Sequence, residues 1–261
     1  MIQTIQKSIC GMVCILAAGL CSTPAQAFTP RTRDTVVEKS VTLMPGALAR
    51  QLRRHARALH EGAQAGLDRT GIHRELNDPE LIGRALEKEA QRSDALLDDH
   101  APMREVVRTF GRLAQLTTDL SFALNVCNDD PREDQFFDDF AQYVERKLPK
   151  IAVTFEGYAE PHLAGDDLPG FAAAIAATAR RDYGGIVLSY FPVGRSRRPS
   201  DFDERSVAFA AASLETSLAV TSTARLWLYV WHRAGGDLTG TPFLESTRGV
   251  APFARDERTT Q

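Results

Sequence analysis

Two polar side chains one helical turn apart, Gln115 and Asp119, interrupt the apolar stretch TFGRLAQLTTDLSFALN at residues 109–125. Residues four apart on a helix share a face, and a histidine in the first position would make this a metal-binding pair. An amide oxygen is a far poorer ligand for a transition metal than a neutral imidazole. At 100° per residue, Val106, Phe110, Leu113, Thr117, Leu120 and Leu124 share one face, with Gln115 and Asp119 nearly opposite, beside Arg108 and Arg112. That pattern reads as a solvent stripe closed by an i,i+4 hydrogen bond. With Gly111, Thr118 and Phe122 alongside, it reads equally as a face turned to a second packed layer, and periodicity leaves the two open.

Other constellations carry less chemistry. His60-Glu61 begins like a zinc-protease helix, but the required second histidine four residues on is Gln64. No serine sits in a G-x-S-x-G elbow and no phosphate loop is present; Asn128 to Asp139 has Glu133 where a calcium loop needs glycine. Arg195, Arg197 and Arg198 have guanidinium groups that match phosphate oxygens, yet so short a charge run reads as a solvated loop. His55, His73, His162 and His232 each lack a second ligand at helical spacing.

The elements that must position these residues are helical. Thr32 or Asp34 can cap a first helix through Leu43, Met44-Pro45-Gly46 breaks it, and Ala47 to His60 forms a second, basic amphipathic helix. Gly62 to Asn77 reads as a loop. Asp78-Pro79 opens a helix to about Leu97, and Pro102 lies in the first turn of the helix bearing Gln115 and Asp119. An acidic loop from Asn128 to Asp134 precedes a helix to Leu148; a further helix fits Leu168 to Leu188, with Gly184-Gly185 as a possible divide. Phe191-Pro192 begins the basic loop. The last helix spans Asp203 to Ala234, with a face of Val207, Ala211, Leu214, Leu218, Thr221 and Leu228 plus Trp227 and Trp231, stopped by Gly235-Gly236. Only Ile151 to Phe155 hints at period-two alternation, so the fold class is all-α, a single multi-helix domain.

The ends set the context. Lys7, an apolar run from Ile9 to Leu20 and then Ala25-Gln26-Ala27 make residues 1–27 a secretory signal peptide whose cleavage leaves Phe28 first. The mature chain is then expected outside the cytoplasm, periplasmic or extracellular, with no transmembrane segment and with residues 253–261 as a loose tail after the 28–252 domain. Cys10, Cys14 and Cys21 leave with the signal, so Cys127 has no intrachain partner and reads as a packing residue. The mature balance of 30 basic against 34 acidic residues implies no nucleic acid or anionic membrane as partner and says nothing of oligomeric state.

Four stretches in order, FTPRTRD, ALARQLRRHARALHEGAQAGLD, His100 with GRLAQLTTDL, and DDFAQYVERKLP, make residues 28 to 148 resemble the zinc-dependent phospholipase C and single-strand nuclease superfamily, particularly its exported bacterial members. The resemblance implies an all-α domain holding three zinc ions in a cleft, with a metal-activated water attacking a phosphodiester, and the amine of the mature first residue, here Phe28, as one ligand. Neighbouring divalent ions lower the pKa of that water and neutralise phosphate charge.

Carried over residue by residue, the resemblance keeps Asp68, His100 and Asp119 as metal-site positions and loses others. The family's Thr-His reads Thr32-Arg33, its His-x-x-x-Asp reads Gln115-x-x-x-Asp119, its Pro-Leu-His reads Ala123-Leu124-Asn125, and its later His-x-x-x-Glu reads Phe137-x-x-x-Ala141. Arg33 puts a permanent positive charge where a cation would sit, and its guanidinium can pair with Asp119 or Asp68. The expectation is therefore a phospholipase C-like protein with a degraded metal site, no cofactor and a binding or structural role. The alternative is an active metal-dependent phosphodiester hydrolase using zinc.

Overall fold

The computed structural model describes residues 28–65, 79–127, 136–191 and 202–244, and among these it has ten α-helices and no strand. They are α1 (Pro30–Thr42), α2 (Gly46–Arg54), α3 (Ala56–Gln64), α4 (Pro79–Asp98), α5 (Met103–Leu120), α6 (Ala123–Val126), α7 (Phe137–Lys147), α8 (Pro161–Ala164), α9 (Leu168–Tyr190) and α10 (Val207–Arg233). The first cap is Thr29, one step before Pro30 at the first helical position, where a missing N–H costs nothing. Thr32 and Asp34, the two residues expected to offer a cap, both lie inside the helix, and Thr32 gives its amide to the Thr29 hydroxyl.

Two glycine readings change with the structure. Gly62 does not open a loop: α3 runs through it to Gln64. A Cβ on Gly62 would run into the Arg108 carbonyl oxygen, and one on Gly111 into that of Leu59, so the two glycines let α3 and α5 touch backbone to backbone. Gly184-Gly185 does not divide α9, which is continuous for 23 residues. The helix expected from Ala47 to His60 is in turn broken at His55, whose φ −111° and ψ 30° separate α2 from α3.

Helix α5 is the axis of the molecule, in contact with α1, α3, α4, α9 and α10. Its flank is tied to α10 by Trp227 Nε1 donating to the Phe110 carbonyl at 2.8 Å and by Thr117 and Thr223 hydroxyls at 2.8 Å. Helix α10 is long and apolar enough to cross a membrane, yet 67% of its apolar window is buried inside the fold, as a central helix requires. Its exposed residues include Val207 and Leu214, which the expected apolar face had placed inside. Ala211, Thr221, Trp227 and Leu228 of that face are buried as expected, and burial also extends to Ala208, Ala212, Glu215, Ala219, Ser222, Leu226 and Val230.

The segment Ile151 to Phe155 is extended without a strand partner among the described residues. It lies on α10, where the Thr154 and Glu156 amides donate to the Ser217 and Thr221 hydroxyls at 3.1 and 3.5 Å. Residues 1–27 with the expected signal, Asp68, the expected acidic loop, the arginines at 195–198 and the expected tail lie outside the described residues.

Candidate functional site

Neighbouring residues of α1 reach in two directions. Arg33 turns to α5, where its Nη2 donates to Asp119 Oδ1 at 2.7 Å; only 4% of the Arg33 side chain and 6% of the Asp119 side chain are exposed. Gln115 Nε2 donates to the second carboxylate oxygen, Asp119 Oδ2, at 3.3 Å. Asn125 Nδ2, from α6, holds the Asp119 main-chain carbonyl at 3.0 Å. Gln115 and Asp119 thus do form the i,i+4 bond, but on a buried face rather than a solvent stripe.

Asp34 turns to α3. His60 Nδ1 lies 2.6 Å from Asp34 Oδ1, and Gln64 Nε2 donates to the same oxygen at 3.0 Å and to the Pro30 carbonyl at 2.9 Å. His60 and Gln64 therefore share one face, as four-residue spacing demands, and grip a carboxylate there.

Phe28 closes the end of this site. It is fully buried, with its ring centroid 4.8 Å from that of Phe122, which packs in turn on Phe137 and Phe140. Phe122 lies between Asp119 and Asn125 in the chain, so Phe28 packs against the bend that carries both.

Of the seven sequence-selected positions, the structure brings together Phe28, Arg33, Gln115, Asp119 and Asn125. Asp68 is outside the described residues. His100 is elsewhere: it is exposed, at φ 52°, in the turn before α5, with Nδ1 3.3 Å from the Leu97 carbonyl. Asp119 is sixteen residues further along α5 than Met103, roughly 24 Å at the helical rise. A side chain cannot bridge that span, so His100 and Asp119 do not share an ion.

Sequence reasoning missed two features beside this cluster. The first is Glu215 on α10, fully buried, with Oε1 accepting from the Ala123 amide at 3.0 Å and Oε2 without a partner. Burial pushes its carboxyl well above the usual carboxylate range, with Asp182 on α9 adding to the rise. The available signal was a lone acidic residue between Leu214 and Thr216 in an apolar helix. The second is a crevice of about 230 Å³ beside Gln115, with Arg112 Nη1 donating to Glu89 Oε1 at 3.2 Å and Lys88 at its edge. Glu89 Oε2 is buried without a partner.

In fold, the chain is similar to an alpha-toxin. The match is to a crystal structure of the Clostridium perfringens alpha-toxin isolated from an avian strain, at a TM-score of 0.59 and 11% identity, covering 82% of this chain. The chain spans 66% of the alpha-toxin's length, just under two thirds. At that identity the likeness is one of fold alone. No family model matches the chain, and no curated protein matches it.

The zinc cluster implied by the sequence resemblance does not fit the residues gathered here. The carboxylate that would bind metal already accepts from a buried guanidinium, and its flanking positions offer amides. A guanidinium carries five donors and no lone pair for a cation. Among the described residues, no three of His, Cys, Asp and Glu are grouped to hold a metal.

Proposed function

We propose that this chain is an exported protein of phospholipase C-like fold in which a buried ion pair replaces the metal centre, leaving a binding role in place of phosphodiester hydrolysis. The observation that carries the reading is the 2.7 Å bond from Arg33 to Asp119, both buried. Arg33 is permanently charged, so it neutralises Asp119 at any working pH. It supplies the cation's electrostatics and lacks the chemistry that follows from coordination, because it cannot lower the pKa of a bound water as a divalent ion does. Residues 1–27 act in this reading as the export signal.

Gln115 and Asn125 then hold Asp119 in the geometry that Arg33 needs. Phe28, packed on Phe122, fixes the start of α1 and thereby the position of Arg33.

Elemental analysis of the exported, signal-cleaved protein tests the reading. It requires a mass beginning at Phe28 and no stoichiometric zinc. Two or three zinc ions per chain, with zinc-dependent hydrolysis of a chromogenic phosphodiester that Asp119→Ala abolishes, establishes the hydrolase alternative instead.

A further inference from the structure

The crevice beside Gln115 has a polarity of its own. Asp119 is a carboxylate and only accepts, so the nitrogen of the Gln115 amide must face it. The Gln115 carbonyl oxygen is thereby turned away from Asp119, and Gln115 lines the crevice. Glu89 adds a second acceptor. Its Oε1, which takes Arg112, keeps a lone pair for a second donor, whereas Oε2 stays buried. Arg112 retains donors beyond the one on Glu89, and Lys88 adds a positive charge. The remaining wall is aliphatic, with Ala85 and Leu116.

We propose that this crevice binds a small aliphatic α-amino acid, its ammonium on Glu89 and the Gln115 carbonyl and its carboxylate on Arg112 and Lys88. The volume, about 230 Å³, is below the ~300–1,000 Å³ of pockets for drug-sized ligands, which limits the ligand to one smaller than those. The two protein charges are adjacent, 3.2 Å between Arg112 Nη1 and Glu89 Oε1. The ligand's opposite charges must be equally close, which selects an α-amino acid over a chain with its charges at opposite ends. This deepens the binding role proposed above and rests on it, because a zinc centre at Asp119 would compete for Gln115 and reorder the wall.

Calorimetric titration of the signal-cleaved chain tests the assignment with L-leucine, N-acetyl-L-leucine, L-leucinamide and 6-aminohexanoate. The expected result is saturable L-leucine binding with a dissociation constant of about 1 mM or tighter, weakened at least about tenfold for each analogue. Glu89→Gln should lose binding while its far-ultraviolet circular dichroism stays that of the parent; the ligand series decides the matter if that variant does not fold. Absence of saturable heat with L-leucine, or equal binding of N-acetyl-L-leucine, overturns the assignment. Zinc measured on the same preparation separates the two failures: zinc-free protein without binding removes only the amino-acid site, whereas stoichiometric zinc removes the reading beneath it.

Discussion

Two buried carboxylates, Asp119 and Glu215, show that burial alone does not set the role of an acid. Asp119 on α5 has a guanidinium on one oxygen, an amide on the other, and a second amide on its main-chain carbonyl. Glu215 on α10 has one main-chain N–H and an oxygen without a partner. Desolvation opposes ionisation at both sites, but only Asp119 meets a full positive charge. One carboxyl is paired with a guanidinium and ties three elements; the other is pushed toward its neutral form.

Breaking the pair at Asp119 should have the largest effect. Arg33→Ala leaves a buried carboxylate and Asp119→Ala a buried guanidinium, and each should cost about 3–5 kcal/mol of unfolding free energy in urea melts. A variant as stable as the parent means the ion pair is not closed in solution. Phe28→Ala comes next, at about 3 kcal/mol or more, since it removes the fully buried ring packed on Phe122. If thermal melts show less than about 1 kcal/mol, Phe28 is not the anchor of this end.

Glu215 should respond with the opposite sign. Its folded pKa is raised above its unfolded value, so the stabilising contribution is complete below the ordinary carboxylate range. It is lost as pH rises from there toward the folded pKa. Glu215→Gln removes that loss, so its stability relative to the parent should rise with pH by up to about 1.4 kcal/mol per unit. A pH-independent difference shows that Glu215 titrates normally. The smallest effect belongs to the surface pair of exposed Arg31 and half-buried Glu145, 4.0 Å apart, where Arg31→Ala should shift stability by no more than about 0.5 kcal/mol.

The sequence carried the all-α class because helical periodicity and capping signals recur along the chain. It carried the Gln115–Asp119 spacing as well, but burial depends on what packs opposite. Nothing local to 109–125 reveals that α1 delivers Arg33 there across 86 residues. Gly62 misled for a related reason: a glycine that permits close helix approach looks, in one dimension, like a glycine that ends a helix. Local pattern likewise gave no distance between His100 and Asp119, and the rise of α5 separates them. Glu215 escaped notice because apolar patterning records faces, not a single acid placed inside one.

The most direct measurement is a double-mutant cycle on unfolding free energy, with Arg33→Met, Asp119→Val and the double variant, all in chelator. If the buried guanidinium balances Asp119, the double variant should recover most of what either single loses, with a coupling of about 3 kcal/mol or more. Single losses that add to within about 0.5 kcal/mol would contradict the account, because the charge on Asp119 would then be balanced by something other than Arg33.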